Sequence, residues 1–524
     1  LHTLLRPGEH QFLERLSALA VANPFLPERI ARERELLRTD FEETNTVWSK
    51  QVRLQRENPN LQKIAEKAEP IARRLRARLA EGAEPTEDEA ERYADLVLYL
   101  LYYRFEEHFA AAMSKPGVSF YEAFETEASH FLSLPALAGR FEGVLPHWFA
   151  FLFQIRRASH HIFEFLVGSA LPAARLRGAA WQSIFTHDLR RYRRVLFDKM
   201  RDVATLVTGP SGTGKELVAR AIGRSGYIPF DLTRKRFAID LGSAFFPLNL
   251  SALAPTLIES ELFGHRKGAF TGALSDREGW LSVCPTLGTV FLDEIGELDS
   301  TIQVKLLRVL QSREFQPLGD TKPERFEGKI VAATHRDLAK EMTSGSFRED
   351  LYYRLCSDQV STPSLSEQLA DQPDDLNELV LFITRRVVGT DEAEGVTAEV
   401  LSWIAENLPE AYAWPGNVRE LEQCVRNIVI RREYHPAQPD ESSRELDSDT
   451  TVDLATSTET ADELIERYCT VVYERTGSYL EAARRLQLDR RTVKSKIEAF
   501  RKRGQESPPS PKRTARRTTR PSRR

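Results

Sequence analysis

The sequence predicts a multidomain protein: an all-α N-terminal region, a central α/β domain built on a parallel sheet and completed by a helical lid, and a small all-α domain near the C-terminus. Three observations carry this. The first third places apolar residues three or four apart with few Val/Ile runs, as amphipathic helices do. From about Trp181 short β-branched runs ("ATLVTG", "FFPLNL", "GTVFLDE", "KIVAAT") alternate with helical stretches, the texture of βα units. Near the end, a stretch rich in Pro, Ser, Thr and Asp separates the body from a last, basic helical segment.

Length and composition agree. At 524 residues the chain exceeds one ordinary core, and 41% hydrophobic with 29% charged residues is the balance of a water-soluble globular protein. The sequence has no apolar run of membrane-spanning length and no leader pattern, so a cytoplasmic location is expected. Cys284, Cys356, Cys424 and Cys469 form no Cys-x-x-Cys pair and are expected to be ordinary buried thiols. The net charge of −4 hides an asymmetry: from Arg484 to Arg524, sixteen Lys or Arg stand against three acids, so this end is suited to a polyanion.

In chain order, residues 1–175 read as helix after helix ("LPERIARERELLRTDFEE", "NLQKIAEKAEPIARRLRARLAEG", "TEDEAERYADLVLYLLYYRFEEHFAAAM"), the third opened by a capping-box spacing of Thr86 and Glu89. The region shows neither the βα alternation of a receiver domain nor a mixed sheet. Its aromatic stretches, "YLLYYRFEEHF" and "LPHWFAFLFQIRRASHHIFEFLVG", suit a core, a ligand pocket or a helix interface. His160 and His161, being adjacent, are expected on different helix faces, and no metal is assigned there. Residues 176–363 form the α/β core and 364–433 the helical lid. Residues 434–460 have too little apolar content to repay ordering and read as a flexible linker. Residues 461–503 are a short helical domain, and 504–524 a disordered basic tail.

Chemistry concentrates in the α/β core. "LVTGPSGTGKE" sets Gly-x-x-x-x-Gly-Lys between a strand and a helix. There the loop Gly209, Pro210, Ser211, Gly212, Thr213 and Gly214 curls around a phosphate, offering backbone N–H groups from all but Pro210, the helix N-terminus adds positive charge, and Lys215 meets the terminal phosphates. Glu216 stands where the general motif has Ser or Thr. Downstream, "GTVFLDEIGEL" ends an apolar strand in Asp293-Glu294. Asp293 is placed to hold Mg²⁺ through water and Glu294 to polarise an attacking water. ATP with Mg²⁺ is therefore the expected ligand and hydrolysis the expected reaction. Between the two motifs lies "GHRKGAFTGALSDREGW", whose centre Gly268-Ala269-Phe270-Thr271-Gly272-Ala273 pairs Phe and Thr between small residues.

Residues from about Trp181 to Arg431 resemble the AAA+ domain of bacterial enhancer-binding proteins, the ATP-driven activators of sigma-54 RNA polymerase. The resemblance rests on "GPSGTGKE", in which Glu after Lys is normal for the family, "ESELFGHRKGAFTGA", "FLDEIGEL", "FREDLYYRL" and "WPGNVRELE". It implies that Asn249 hydrogen-bonds the Walker B Glu294 and switches it, and that Thr334 is sensor I. Arg348 and Arg354 would reach a neighbour's site in trans, Arg419 would read nucleotide from the lid, and residues 268–273 would contact sigma-54. His335 stands where the family often has Asn. Fingers acting in trans require a ring, a hexamer by family resemblance. The stretch between Arg220 and Asn249 is about ten residues longer than the family's, a surface loop or an extra hairpin to which no function is assigned.

"TGSYLEAARRLQLDRRTVKSKIEAFRKRG" resembles a Fis-type helix-turn-helix, with Leu486, Leu488, Val493 and Ile497 as its core. Arg490, Arg491, Thr492, Lys494 and Lys496 would face double-stranded DNA upstream of a promoter. The expected function is that of a sigma-54-dependent transcriptional regulator that binds DNA and uses ATP hydrolysis in an oligomeric AAA+ ring to drive the polymerase into the open complex. Two other readings use the same residues: a DNA-binding regulator that keeps the AAA+ fold for oligomerisation, and an AAA+ remodeller of another protein.

Overall fold

The computed structural model describes residues 4–43, 58–113, 120–238, 245–436, 460–476 and 478–505. The linker read at 434–460 lies outside them almost entirely, as do the basic tail from 506 and positions 239–244 of the long stretch before Asn249. The chain folds as two compact units, Leu1–His435 and Pro436–Arg524. Among the described residues no helix is long and apolar enough to cross a membrane.

The first unit opens with seven helices: α1 Pro7–Val21, α2 Pro27–Leu37, α3 Pro59–Ala80, α4 Glu87–Ala112, α5 Tyr121–Leu132, α6 Leu145–Phe165 and α7 Leu171–Phe185. The capping box that starts α4 is complete, with Thr86 N donating to Glu89 Oε2 at 2.9 Å and Glu89 N to Thr86 Oγ1 at 3.2 Å. Glu89 Oε1 also accepts the Leu5 amide at 3.2 Å, so one side chain ties α4 to the start of the chain. Tyr93, Phe109, Phe124, Phe149 and Phe153 lie on inner faces of α4, α5 and α6 and are all essentially inaccessible. Each such ring contributes about 1.5–3 kcal/mol on burial, which is why these helices form together.

A short helix, α8 Leu189–Arg191, and one π turn, Tyr192–Leu196, lead into the sheet. The strands are β1 Thr205–Thr208, β2 Phe230–Asp231, β3 Arg236–Phe237, β4 Phe245–Asn249, β5 Thr289–Asp293, β6 Glu314–Phe315, β7 Glu324–Arg325, β8 Lys329–Thr334 and β9 Asp358–Ser361. Five of them form a parallel sheet in the order β4-β5-β8-β1-β9. Its central strands are buried on both faces, which explains their unbroken apolar runs. Around it lie α9 Lys215–Gly223, α10 Pro255–Phe263, α11 Trp280–Val283, α12 Ser300–Ser312, α13 Leu338–Ser344 and α14 Glu349–Leu355. The lid is α15 Leu365–Asp371, α16 Asp375–Val388, α17 Ala393–Asn407 and α18 Asn417–Arg431, with Val380, Val400, Leu421 and Val425 in its core.

The boundary expected near 175 falls inside α7, and the core explains why. Phe149, Phe153 and Phe185 belong to the same apolar cluster as Val207, Ile222, Phe291 and Val331 of the sheet layer, so the helical region is packed on the α/β core. The extra residues before Asn249 supply part of that packing. β2 and β3 form an antiparallel hairpin pairing Phe230 with Phe237, and Phe237 stacks on Phe153 at 4.2 Å while Phe230 stacks on Tyr121 at 4.8 Å. Of the two forms the sequence allowed, the described part is a hairpin, and it clamps the helices.

The second unit contains α19 Ala461–Thr476, α20 Tyr479–Leu486 and α21 Arg490–Gln505 around Cys469, Ala482, Ala483, Val493 and Ile497. Leu486 packs against this core, whereas Leu488, expected inside it, is exposed. Leu488 sits in the turn, where its amide donates to Ala483 O at 3.1 Å and its side chain is turned outward.

Candidate nucleotide-binding site

The loop between β1 and α9 is shaped by its glycines. Gly209 and Gly212 have φ of 138° and 79°, and a Cβ on them would lie 2.1 Å from Thr362 Oγ1 and 2.2 Å from Gly416 O. No other residue fits either place. The loop thus runs against both the end of β9 and the start of α18. Lys215, the first residue of α9, donates from Nζ to Gly209 O and Pro210 O, each at 3.1 Å. Burial holds its ammonium below the usual lysine range, against the opposing pull of Glu294 and Asp293. Thr213 Oγ1 lies 2.6 Å from Thr362 Oγ1, fixing the loop's far side. Glu216 pairs with Arg220 at 2.7 Å.

Asp293 ends β5 and Glu294 follows with a left-handed φ of 58°, which turns the two carboxylates in different directions. Burial raises the Asp293 carboxyl above its usual range, the Glu294 charge raises it further, and Lys215 opposes both. Asp293, a hard oxygen donor beside a lysine that only partly offsets the local negative charge, suits a divalent cation of the Mg²⁺ class. Glu294 Oε2 lies 2.8 Å from His335 Nδ1 and accepts the His335 amide at 3.3 Å.

Asn249 is level with Asp293 on the neighbouring strand. Its Oδ1 accepts from the amides of Ser251 and Ala252 at 3.0 and 3.3 Å, capping a short turn; among the described residues it is His335, not Asn249, that meets the Glu294 carboxylate. The position that departed from the family was the signal for this pairing, though its partner, 41 residues away, was not readable. Thr334 ends β8, fully buried, and accepts the Arg336 amide at 3.0 Å. On α18, Arg419 Nη1 donates to Ser211 Oγ at 3.0 Å and Arg419 N to Gly212 O at 3.2 Å. Asn417, which the sequence did not single out, is held at φ 55°, with Oδ1 accepting the Leu365 amide and Nδ2 donating to Ser211 O, both at 2.9 Å. A left-handed residue stitched to the loop is strain kept where the lid meets it. Arg348 precedes α14 and pairs with Asp350 at 2.7 Å, and Arg354 is exposed in the helix's last turn.

The segment 268–273 is a turn on a pinned base. His265 and Arg277 pair as an antiparallel bridge, Arg266 pairs with Asp320 at 2.7 Å, and the Lys267 amide donates to Asp276 at 2.8 Å. Above it Gly268 and Gly272 take φ of 82° and 105°, Ala273 is buried, and Thr271 and Phe270 are exposed. Phe270 lies edge-on to His265 at 5.0 Å.

In the second unit Arg490, Arg491, Thr492 and Lys494 are exposed along the first turns of α21. Lys496 instead turns back to α19, 2.8 Å from Asp462 and 3.7 Å from Glu466. Cys284, Cys424 and Cys469 are buried as expected, and Cys356 is half-buried. His160 and His161, expected to diverge, both meet Glu164, at 3.7 and 3.2 Å, because it lies one helical turn beyond them.

A parallel sheet of this order, with a glycine loop after β1, an acid pair at the end of β5 on the far side of β8 and a helical lid on the loop, defines a P-loop ATPase domain of the AAA+ class. Residues 185–361 match the Sigma-54 interaction domain and residues 371–457 the AAA+ ATPase lid domain. The chain is 44% identical over 46% of its length to the Nif-specific regulatory protein of Azotobacter vinelandii, covering 43% of that protein. It is 37% identical over 56% of its length to the transcriptional regulatory protein ZraR of Klebsiella oxytoca, covering 63%. It is 41% identical over 48% of its length to the DNA-binding transcriptional regulator NtrC of Rhizobium meliloti (strain 1021), covering 46%. Over residues 185–457 the chain is therefore similar to the sigma-54 interaction and lid domains of sigma-54-dependent transcriptional regulators. It spans about half the length of the curated relatives it matches.

Proposed function

We propose that the chain hydrolyses ATP at this loop, in an oligomeric ring, and uses residues 268–273 to remodel sigma-54 polymerase into the open complex. The observation that carries this reading is the pairing of a complete phosphate loop and acid pair with a separate, firmly based turn whose exposed tip is Phe270-Thr271. The tip lies on the connection between β4 and β5, the two strands that end in Asn249 and Asp293. A shift at the strand ends therefore has a route to the turn along the chain, through α10 on one side and α11 on the other.

In this mechanism Lys215 and the loop amides hold the β- and γ-phosphates, and Arg419 senses them from the lid. Asp293 would hold Mg²⁺ through water, and the ion would supply charge neutralisation at the phosphates. Glu294 orients and polarises the water, with His335 setting the direction of its carboxylate. Arg348, just before α14, and Arg354, in its last turn, are both exposed and serve a neighbouring subunit, where an arginine is worth roughly 10³–10⁵ in rate. Arg490, Arg491, Thr492 and Lys494 engage DNA. Lys496 has a smaller part than its sequence position implies, since two acids already hold it.

ATP turnover and nucleotide binding of Lys215→Ala and Glu294→Gln test the site. Lys215→Ala is expected to lose binding, and Glu294→Gln to bind ATP normally while turnover falls about 10²–10⁴-fold. Normal turnover in Glu294→Gln would refute the assignment of the base.

A further inference from the structure

The helical region contains a cleft that the nucleotide chemistry does not use. It lies between the end of α1, the middle of α4 and α6, α7 and the segment leading to the sheet, with a cavity volume of ≈ 100 Å³. That is room for a small molecule built on a single ring. Tyr99, Phe151 and Trp181 give it aromatic walls. Arg29, Arg190, Arg193 and Asp95 also line it.

The charges do not balance. Arg29 is met by Glu33 at 2.9 Å. Within the cleft Asp95 is the one acid lining residue, pairing with Arg190, lying 3.4 Å from Arg193 and accepting from Ser17 Oγ at 3.1 Å, while Glu91 acts on both guanidiniums from farther off and Arg193 lies over the Trp148 ring at 5.2 Å. The two arginines thus share one close carboxylate, and the surplus positive charge in this half-enclosed apolar setting is met only at longer range. Burial lowers the Arg193 guanidinium below its ordinary range, and Asp95 restores only part of this. The Nε of Arg190 is buried without a hydrogen-bond partner among the described residues. A singly charged anion would answer the surplus charge and the free donor together, while the aromatic walls would take an apolar body.

We propose that this cleft binds a small organic carboxylate with an aromatic or branched apolar body, held by Arg190 and Arg193. The site also has a route to the phosphate loop. Between the two arginines Tyr192 donates to Gln154 Oε1 at 2.9 Å, and Gln154 Nε2 donates to Ser225 O at 2.9 Å, two residues past the end of α9. An effect on turnover by this route rests on the ATPase reading above; binding in the cleft does not.

The test is isothermal titration of the full chain with benzoate and phenylacetate, each against its own amide. A carboxylate is expected to bind one-to-one and its amide at least tenfold more weakly. Arg193→Gln is expected to weaken binding at least tenfold. Ala22→Phe narrows the cleft with every charge in place and is expected to abolish binding while circular dichroism and melting stay as in the wild type. If Arg193→Gln does not fold, Ala22→Phe decides. Failure of both carboxylates to bind, equal binding of the amides, or undiminished binding in Ala22→Phe would overturn the proposal.

Discussion

Glu294 and His335 meet at 2.8 Å at the end of the sheet, and this contact decides how the candidate base is held. Replacing His335 by Asn keeps a hydrogen-bonding side chain, whereas His335→Ala leaves Glu294 with the backbone amide alone. His335→Ala is expected to lower ATP turnover about tenfold with nucleotide affinity unchanged, and His335→Asn to recover most of the loss, as steady-state kinetics would show. Equal rates in wild type and His335→Ala would mean that His335 does not position the base. Gly212 gives the complementary experiment. A Cβ there would stand 2.2 Å from Gly416 O at φ 79°, so Gly212→Ala must push the lid from the loop. Nucleotide affinity, measured by titration with a fluorescent ATP analogue, is expected to fall at least tenfold. What the sequence showed at this scale was what lies in short contiguous motifs, such as Gly209–Lys215 and Asp293-Glu294. It did not show that Asn249 would spend its side chain on a turn, because that choice depends on where Glu294 is directed by its left-handed backbone.

Among the elements, β8 carries a buried lysine whose titration can be followed. Lys329 Nζ donates to Val203 O at 2.7 Å and Met200 O at 3.2 Å. Its pKa is pushed down to about 8, first by burial, with Asp358 opposing. The unfolded chain holds this proton up to about pH 10.4. Between about pH 8 and 10.4 the unfolded state therefore binds more protons than the folded state, and the contribution of Lys329 to stability rises with pH by about 1.4 kcal/mol per unit. Urea unfolding of wild type and Lys329→Met across that window is expected to show the wild type gaining on the variant as pH rises. A constant difference would show that Lys329 titrates normally. The helices and strands themselves were largely legible, since their 3.6 and near-continuous apolar patterns follow directly from which faces are buried. The hairpin of β2 and β3 was not assignable from sequence because its two rings find their partners, Tyr121 and Phe153, about a hundred residues back on α5 and α6.

At the scale of the first unit, the helical region is joined to the lid as well as to the sheet. Asp375, the first residue of α16, is fully buried and accepts from Ser169 N at 2.7 Å, Ser169 Oγ at 2.5 Å and Ala170 N at 3.0 Å, capping the start of α7. Gly168 precedes it at φ 124°, where a Cβ would meet Asp375 Oδ2 at 2.8 Å. Asp375→Ala leaves buried donors unmet and is expected to cost about 1–3 kcal/mol in urea unfolding. An unchanged unfolding midpoint would show that the cap contributes nothing to holding α7 on the lid. Sequence reading divided the chain near 175 because composition changes there. The fold instead runs one core across that point, and only long-range contacts such as that of Asp375 with Ser169 reveal it.

The central claim is that the turn at 268–273 transmits ATP turnover to sigma-54 polymerase without taking part in the hydrolysis. The most direct measurement is open-complex formation on a sigma-54 promoter, with ATP, by wild type and Thr271→Ala, alongside their ATPase rates. The expected result is an ATPase rate within about twofold of wild type and open-complex formation reduced at least tenfold, since Thr271 is exposed on a turn whose base is pinned by the bridges of His265 to Arg277 and Leu318. Open complexes formed at the wild-type level by Thr271→Ala, with ATPase intact, would contradict it.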